Sequence, residues 1–447
     1  MQMTTTAPSR GEDLRAGPIH VKFADGELRY LYVGDKEIVR RIYFAVRNGS
    51  WATSTPVFTR MEVHQALDSF TVDLAARCDT DGVDYGWTGR IVGTADGRIT
   101  FHATGVSGAA FSSNRIGLCV LYGAPSLAGQ VYETAQEGGT PRPGRFPELV
   151  SAALVTGQFN RLRYTGEHGL TVTTAVSGTR FDMEDQRTYG DSSFKAYAPL
   201  SYPYPAIPAH AAAAETVTVQ VEHAPRVVPS ERLTIRVGGQ TAARVPRIVI
   251  RPATNRGGTF GEVNGRAEQF RGAREISWPY TPSIHLLDDD VFFENVWALP
   301  DQVKSAHAYA PGADIAIDPI VLDSRPGPEG DRRNAGEFGA AWSLALIKEL
   351  SIAGVSNARF AMGPGKGEAI QREIAGYGGR PLREVGLTHG PQPPPVDALA
   401  IDGVSGPVVY VYNRTGRSQT TDVVGANGHR QTVALPPYGF RRLSDVE

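Results

Sequence analysis

The chain has 447 residues, and 45 Lys and Arg stand against 47 Asp and Glu, which gives a formal net charge of −2. This balance gives no electrostatic reason to expect binding to nucleic acid or to an anionic membrane. Hydrophobic residues make up 41% of the chain, and no run of about 18 apolar residues is present, so the sequence predicts a globular protein of two or three domains without a membrane span.

The thiols and the first residues both indicate a reducing compartment. Cys78 and Cys119 are far apart in the sequence, as expected of two buried free thiols rather than a redox or metal motif. The first fifteen residues lack the apolar core of a signal peptide. We therefore predict a cytoplasmic location.

Residues 15–222 predict a large antiparallel β-sandwich. Short alternating apolar runs are separated by turn dipeptides such as Asp25-Gly26, Asp81-Gly82 and Asp96-Gly97. Such dipeptides supply the positive φ angles that tight hairpins need. We expect Arg115, directly before an apolar strand, to be held in a structural ion pair.

One dense polar stretch, residues 179–200, does not alternate as a half-buried strand should. It carries Glu184, Asp185, Arg187, Asp191 and Lys195 between aromatic residues. One interpretation is a salt-bridge network that joins two domains. The other is a substrate-binding wall, in which the cations hold a carboxylate or a developing oxyanion and the acids bind sugar hydroxyls.

Residues 223–400 predict alternating strands and helices, which imply a parallel sheet. The strands are RIVI, EISWPY, ADIAIDPIVL and NARFAMG. The strongest helix is GEFGAAWSLALIKELSIAGV, with Gly354 as its stop, and the helical segment from residue 291 is expected to break at Pro300. Residues 401–447 predict a few C-terminal β-strands that pack on this α/β part.

In parallel α/β folds the chemistry gathers at the carboxyl ends of strands. Those ends carry Glu262, His285 and Asp289 as candidate catalytic groups, with Asn264 and Arg266 as candidate substrate ligands. Carboxylates with one His suit acid/base hydrolysis. The alternatives stay open: Asp288–Asp290 suit a helix N-cap, and His285 suits a satisfied core position equally well. No zinc, phosphate-loop or GxSxG motif is present, so we expect no cofactor, although a carboxylate-bound Ca²⁺ or Mg²⁺ stays open.

Several ordered stretches resemble the D-apionate lactonase family, a group of bacterial sugar-acid catabolic proteins with a glycoside-hydrolase-like architecture. They are VRNGSWATSTPV, FSSNRIGLCVL, FDMEDQRTYGDSSFKAY, GGTFGEVNGR and TPSIHLLDDDVFFE. The third stretch is the most specific, because eight of its residues match in order: Glu184, Asp185, Gln186, Arg187, Asp191, Phe194, Lys195 and Tyr197. The resemblance implies an N-terminal β-sandwich followed by a (β/α) barrel, and a hydrolase that acts on a carbohydrate-like small molecule.

This chain departs from the family pattern in several places, among them the barrel, position 122 and the segment GQFNRL. The barrel-like part spans only about 150 to 170 residues, whereas a complete barrel needs about 200, so the first units of the barrel look missing. Tyr122 stands where the family has a His. A shortened barrel would have open sheet edges and an apolar inner face, and we expect the β-domain or a second copy, in a homodimer, to cover them.

The sequence therefore predicts an α+β multidomain protein. It has an antiparallel β-sandwich (15–222), a truncated parallel (β/α) barrel-like domain (223–400) and C-terminal strands (401–447). The leading hypothesis is hydrolysis of a sugar-acid lactone, with Glu262 or His285 as the base and Arg187, Lys195 or Arg266 at the oxyanion. The rival hypotheses are a lyase, isomerase or cyclase of a biosynthetic pathway, and a catalytically degenerate carbohydrate-binding protein.

Overall fold

The computed structural model describes residues 11–200, 203–224, 233–251, 258–322, 331–388, 393–444 and 446. Contacts divide the chain into two compact units. The first comprises residues 1–147, 153–185 and 193–229, and the second comprises 148–152, 186–192 and 230–447. The C-terminal strands thus belong to the second unit, and the division into three domains stays a prediction.

The first unit is built almost entirely of strands. They are β1 (Glu12–Ala16), β2 (Ile19–Ala24), β3 (Glu27–Val33), β4 (Lys36–Arg47), β5 (Val57–Gln65), β6 (Phe70–Cys78), β7 (Tyr85–Thr94), β8 (Arg98–Ser107), β9 (Phe111–Ser112), β10 (Arg115–Gly123), β11 (Val131–Ala135), β12 (Arg142–Arg145), β13 (Thr156–Phe159), β14 (Arg161–Thr165), β15 (Thr171–Ser177), β16 (Phe181–Asp185), β17 (Ser193–Tyr197), β18 (Ala206–Ile207) and β19 (Ala212–Glu222), with one short helix, α1 (Ala124–Leu127).

Two large antiparallel sheets form the predicted sandwich. Eight strands run in the order β1-β2-β3-β4-β10-β17-β16-β13, and nine run in the order β12-β11-β14-β15-β19-β8-β7-β6-β5. One apolar core draws on both sheets, with Val120 and Phe194 from the first and Phe101 and Val219 from the second. The Asp25-Gly26 hairpin joins β2 to β3 as expected, with φ angles of 53° and 78°.

The second unit mixes strands and helices. Its elements are β20 (Thr234–Arg244), β21 (Arg247–Ile250), α2 (Phe260–Asn264), β22 (Glu275–Tyr280), α3 (Asp289–Asn295), α4 (Ala298–Tyr309), β23 (Asp314–Ile320), α5 (Glu337–Ala353), β24 (Asn357–Phe360), α6 (Lys366–Ala375), β25 (Pro381–Leu387), β26 (Val396–Gly403), β27 (Gly406–Asn413), β28 (Gln419–Val424), β29 (Arg430–Leu435) and β30 (Phe440–Leu443).

All four parallel strands predicted from the sequence are present, and they form one sheet in the order β21-β24-β23-β22. Buried side chains such as Ile317 and Phe360 join the core that the helices share. The opposite face was expected to be apolar, but it carries an ion pair of 2.5 Å between Arg359 and Asp318. That face is therefore not uniformly apolar.

The C-terminal strands enter a seven-stranded mixed sheet in the order β29-β28-β20-β25-β26-β27-β30. Strand β20 pairs in parallel with β28 and antiparallel with β25. The sheet packs on α5, as expected of a tail that covers the α/β part, and an ion pair of 2.6 Å between Lys348 and Asp397 joins α5 to β26.

Helix ends follow local chemistry. Gly354 ends α5 with a φ of 79°, the left-handed conformation that glycine adopts readily. The helical segment breaks between α3 and α4, and Pro300 lies in the first turn of α4, where a missing N–H donor is tolerated. Among the described residues, no helix is long and apolar enough to cross a membrane.

Glu215 is a buried acid at the inner side of the sandwich. Its Oε2 accepts the Leu118 N–H at 2.8 Å, beside Gly117, which has a φ of 140°. A Cβ atom at Gly117 would lie 2.4 Å from that oxygen, so the position requires glycine. Burial raises the pKa of Glu215 from 4.5 to about 7.

We expect Glu215 to make the stability of the first unit depend on pH. The folded state holds this proton and the unfolded state releases it, so stability falls as pH rises from about 4.5 to about 7. In Glu215→Gln this loss is removed. In urea denaturation, the advantage of the variant over the wild type should grow by roughly 2 to 3 kcal/mol between pH 5 and pH 8.

The matched control for this prediction is Glu222→Gln, since Glu222 is an exposed acid at the end of the same strand. Its effect at the two pH values gives the baseline for the replacement of an exposed acid by glutamine. A stability difference between Glu215→Gln and the wild type that is equal at both pH values would contradict the prediction.

Candidate active site

The dense polar stretch is divided between the two units. Strand β16 ends at Asp185 and β17 begins at Ser193, and residues 186–192 between them belong to the second unit. The segment turns at once, because the Asp191 N–H bonds to the Gln186 carbonyl at 3.2 Å. Gly190 has a φ of 104°, which glycine adopts without strain. This turn places Asp191 in the second unit.

Asp191 is hydrogen-bonded to His285 and Asn295. His285 lies in the loop after β22, and its Nδ1 bonds to Asp191 Oδ2. Asn295, the last residue of α3, donates to Asp191 Oδ1 at 2.8 Å and to the Pro282 carbonyl at 2.8 Å. The Asn295 Oδ1 accepts the Ser192 N–H at 3.2 Å. Asn295 thus fixes the carboxylate and the histidine loop together.

This arrangement suits one tautomer of His285. When Nδ1–H of a neutral His285 donates to the Asp191 carboxylate, Nε2 is left as the acceptor. The His285 side chain is 21% exposed, whereas that of Asp191 is 11% exposed. A partly accessible imidazole oriented by a buried carboxylate has the form of a general base.

Two tyrosines lie beside this pair. The Tyr189 ring packs edge-on against His285, with a centroid distance of 5.3 Å. The Tyr280 hydroxyl is buried and has no hydrogen-bond partner among the described residues. Burial, with the nearby Asp191 charge, raises the pKa of Tyr280 well above its ordinary value, so the hydroxyl keeps its proton.

Arg187 is in the same segment but is used structurally. Its side chain is fully buried and bonds to Asp301 at 2.8 Å. It also donates to the Glu148 carbonyl at 3.3 Å and the Leu149 carbonyl at 3.4 Å. A guanidinium that is saturated in this way favours the structural interpretation of Arg187 over contact with a substrate.

Three of the predicted substrate ligands lie in the first unit. Glu184 on β16 and Lys195 on β17 are direct cross-strand partners, and Asp185 ends β16. Lys195 is 3% exposed and Asp185 is 3% exposed. The Lys195 ammonium lies over the rings of Tyr43 and Tyr197, at 5.7 Å and 5.5 Å from the centroids.

The other predicted residues lie around α2 and α3 in the second unit. Glu262 is exposed in the first turn of α2, and Arg266 is exposed just after it. Asn264 donates to the Val150 carbonyl at 2.9 Å. Asp289 lies in the first turn of α3, after the N-cap Asp288, whose side chain accepts the Val291 N–H at 3.2 Å.

Asp289 is also close to a cation, since its carboxylate is 3.8 Å from Arg333 Nε. Partial burial raises the pKa of Asp289 against the opposing effect of Arg333. Of the predicted site residues, His285 and Asp191 are joined by a side-chain hydrogen bond, and Glu184 and Lys195 are cross-strand neighbours. Asn295 was missed, because an amide at a helix end carries no distinctive sequence signal.

Tyr122, which stands where the family has a His, lies in the core of the sandwich. It is fully buried, and its hydroxyl donates to Thr174 Oγ1 at 2.8 Å. Within the part of the chain that the structure describes, no group of three or more His, Cys, Asp or Glu residues is arranged to hold a metal ion.

Comparison with known families assigns the chain. The family model for the N-terminal domain of D-apionate lactonase matches residues 1–224, and the model for its TIM barrel domain matches residues 209–386. The chain therefore belongs to the D-apionate lactonase family. A curated relative, the D-apionate lactonase of Brucella anthropi, is 28% identical over 204 residues. The match spans 45% of this chain and only 34% of that relative.

Solved structures show weaker similarity. An alpha-galactosidase from Geobacillus stearothermophilus is 8% identical with a TM-score of 0.34, and the match covers 97% of this chain and 99% of that one. A galactose mutarotase related enzyme from Lactobacillus acidophilus is 9% identical with a TM-score of 0.32, and the match covers 49% of this chain and 100% of the other. Similarity at this level carries no argument about function.

Proposed function

We propose that this protein hydrolyses the lactone of a sugar acid, with His285 as the general base and Asp191 as its orienting carboxylate. The observation that carries this proposal is the hydrogen-bonded pair of the partly exposed His285 imidazole and the buried Asp191 carboxylate. Glu262, the other candidate base, is exposed, whereas the His285 imidazole is oriented by the Asp191 carboxylate.

In the proposed reaction, Nε2 of His285 takes a proton from water as the water oxygen attacks the lactone carbonyl carbon. Asp191 stabilises the imidazolium that forms and holds it in position. The ring C–O bond then breaks, and the imidazolium returns its proton to the departing alkoxide. The product is an open-chain hydroxy acid, and His285 is restored to its starting state.

A donor is needed for the negative charge on the carbonyl oxygen. We assign this role to Tyr280, whose buried hydroxyl has no partner among the described residues and keeps its proton. An ideal Cβ at Gly190 would lie 3.4 Å from the Tyr280 ring, which places that ring against the Asp191 turn. Arg266 stays a second candidate for this role, whereas Arg187 is saturated by Asp301 and backbone carbonyls.

The substrate class rests on the family. The curated relative is a D-apionate lactonase, so we propose the lactone of D-apionate or of a related sugar acid as the carbohydrate-like substrate. Since the match spans about a third of that relative, substrate identity has to be tested on this chain itself. The same base also suits proton abstraction next to a carbonyl, which is the chemistry of the lyase and isomerase alternatives.

We expect His285→Gln to lower kcat for lactone hydrolysis by about 10² to 10⁴-fold, because glutamine cannot accept the proton from water. Asp191→Asn should cause a loss of the same order, because the histidine loses the carboxylate that orients it. Lactone opening is measured by acid release at constant pH.

Two further variants make this test specific. His429→Gln changes an exposed histidine in the turn between β28 and β29, and it should leave the rate unchanged. Glu262→Gln separates the two candidate bases. If kcat falls by about 10²-fold in Glu262→Gln and is unchanged in His285→Gln, then Glu262 and not His285 is the base.

We further propose that the four-stranded parallel sheet is the remainder of a barrel. Strand β21 precedes the other three along the chain but pairs with β24, which is the last of them. A closed (β/α)₈ barrel joins its first and last strands in the same way. The units that this chain lacks would then fall between β21 and β22. The family match to a TIM barrel domain supports this proposal.

The edges of this sheet are the basis for proposing a homodimer, since unpaired strand edges favour pairing with another chain. Light scattering at micromolar concentration should give twice the mass of one chain, and the mass of a single chain would contradict the dimer.

We also propose a cytoplasmic location, because Cys78 and Cys119 are both free and buried. Recovery of the protein only outside the cytoplasm in cell fractionation would contradict it.

A further inference from the structure

A pair of buried arginines in the first unit, Arg47 and Arg115, lies away from the sandwich core. The two residues are direct cross-strand partners on β4 and β10. Alternation along a strand sends neighbouring residues to opposite faces. Val46 and Leu118 enter the sandwich core, so the arginine pair lies on the other face of the eight-stranded sheet.

The arginine pair has buried nitrogen atoms that the described residues leave without a hydrogen-bond partner. Arg47 is 3% exposed and Arg115 is 6% exposed. Nε of Arg47 and both Nε and Nη2 of Arg115 have no hydrogen-bond partner among the described residues. Like charges placed directly opposite one another repel, and buried hydrogen-bond donors without a partner are unfavourable. An anion between the two guanidinium groups would relieve both effects.

Neighbouring buried arginines do have acidic partners. Arg40 lies 2.6 Å from Glu37, and Arg41 pairs with Glu27. The fold thus supplies a carboxylate for these two cations. The sequence predicted a structural ion pair for Arg115 as well, but the structure instead stacks its guanidinium on the Tyr197 ring, 3.1 Å from the centroid. That stacking fixes the plane of the guanidinium and leaves two of its nitrogen atoms available.

Small and aromatic residues line the surface beside the arginine pair. Ala45 and Gly117 form the next cross-strand pair, and Cys119 and Tyr43 form the pair after it. The ideal Cβ position at Gly117 points to Glu215, on the core side, so this position adds no side chain to the outer face. Ala45, Cys119, Tyr43 and Tyr197 belong to one buried apolar cluster.

Further polar groups near the arginine pair suit hydroxyl groups. Asn114 is 6% exposed, and neither of its amide atoms has a partner among the described residues. The Tyr43 hydroxyl is buried and equally without a partner there. Ser113 joins the two strands, since its Oγ donates to the Arg47 carbonyl at 2.6 Å and accepts the Arg115 N–H at 3.1 Å. An amide and a phenol can each donate to and accept from an alcohol.

We propose that Arg47, Arg115 and Asn114 form a binding site for the carboxylate of a small polyhydroxy acid. Guanidinium groups match the two oxygen atoms of a carboxylate, and the amide and phenol groups match hydroxyls. A hydroxy acid is also what lactone hydrolysis would release, and that link rests on the proposed function. The site itself uses neither His285 nor Asp191, so binding is tested without turnover.

The test is isothermal titration calorimetry on the full chain, with gluconate as the probe, glucose as its neutral counterpart and sulfate as an inorganic anion. We expect saturable binding of gluconate and none of glucose. Arg115→Met should weaken gluconate binding by at least about tenfold, because it removes a charge-assisted hydrogen-bond donor. Arg90→Met is the matched control, since Arg90 is 59% exposed on β7, and it should bind gluconate as the wild type does.

A second readout separates ligand binding from a structural role. Without ligand, Arg115→Met should leave the melting temperature unchanged or raise it, because methionine removes buried hydrogen-bond donors that have no partner among the described residues. Arg47→Met serves in the same way if Arg115→Met does not fold. Equal gluconate affinity in Arg115→Met and Arg90→Met would overturn the proposal. The absence of saturable binding, or sulfate binding as tight as that of gluconate, would overturn it too.

Discussion

The hydrogen bond between His285 and Asp191 is the interaction on which the functional account depends. It exists because the chain leaves the eight-stranded sheet at Asp185 and returns to it at Ser193, so that residues 186–192 join the second unit. Asn295 bonds at once to the Asp191 carboxylate, to the Pro282 carbonyl and to the Ser192 N–H. The base, its orienting acid and the loop that carries the base are therefore held by one amide side chain, and a change at any of the three would disturb the others.

In this protein, structural residues differ from candidate functional ones in whether their buried polar atoms have hydrogen-bond partners. Arg187 is fully buried and saturated by Asp301 and by backbone carbonyls, as expected of a residue that stabilises the fold. Arg115 is equally buried, but two of its nitrogen atoms have no partner among the described residues. Natural proteins rarely leave such groups unpaired, because the free-energy cost is high. The contrast explains why we assign ligand binding to Arg115 although sequence reasoning had placed it on Arg187.

Local signals in the sequence predicted the local structure well. Turn dipeptides identified the hairpins of the sandwich, apolar runs identified the four parallel strands, and Gly354 identified the end of α5.

Long-range pairing was not predictable in the same way. Nothing in the sequence of β20 indicates that it pairs with β28 and β25, because register and partner depend on contacts across the fold. The polar stretch was recognised, and one interpretation made it a link between two domains, but no local signal marked residues 186–192 as the part that belongs to the second unit. The contact between His285 and Asp191 joins residues 94 positions apart, and no local pattern encodes it.

The most direct measurement for the central claim is turnover in water labelled with oxygen-18. If His285 activates water for attack on a lactone carbonyl, the wild-type protein should place one labelled oxygen atom in the product carboxylate. The rate of label incorporation should fall in His285→Gln in parallel with the rate of lactone opening. An unlabelled product would indicate elimination or isomerisation, and an equal rate of labelling in the variant would show that another group activates the water. Either result would contradict the account.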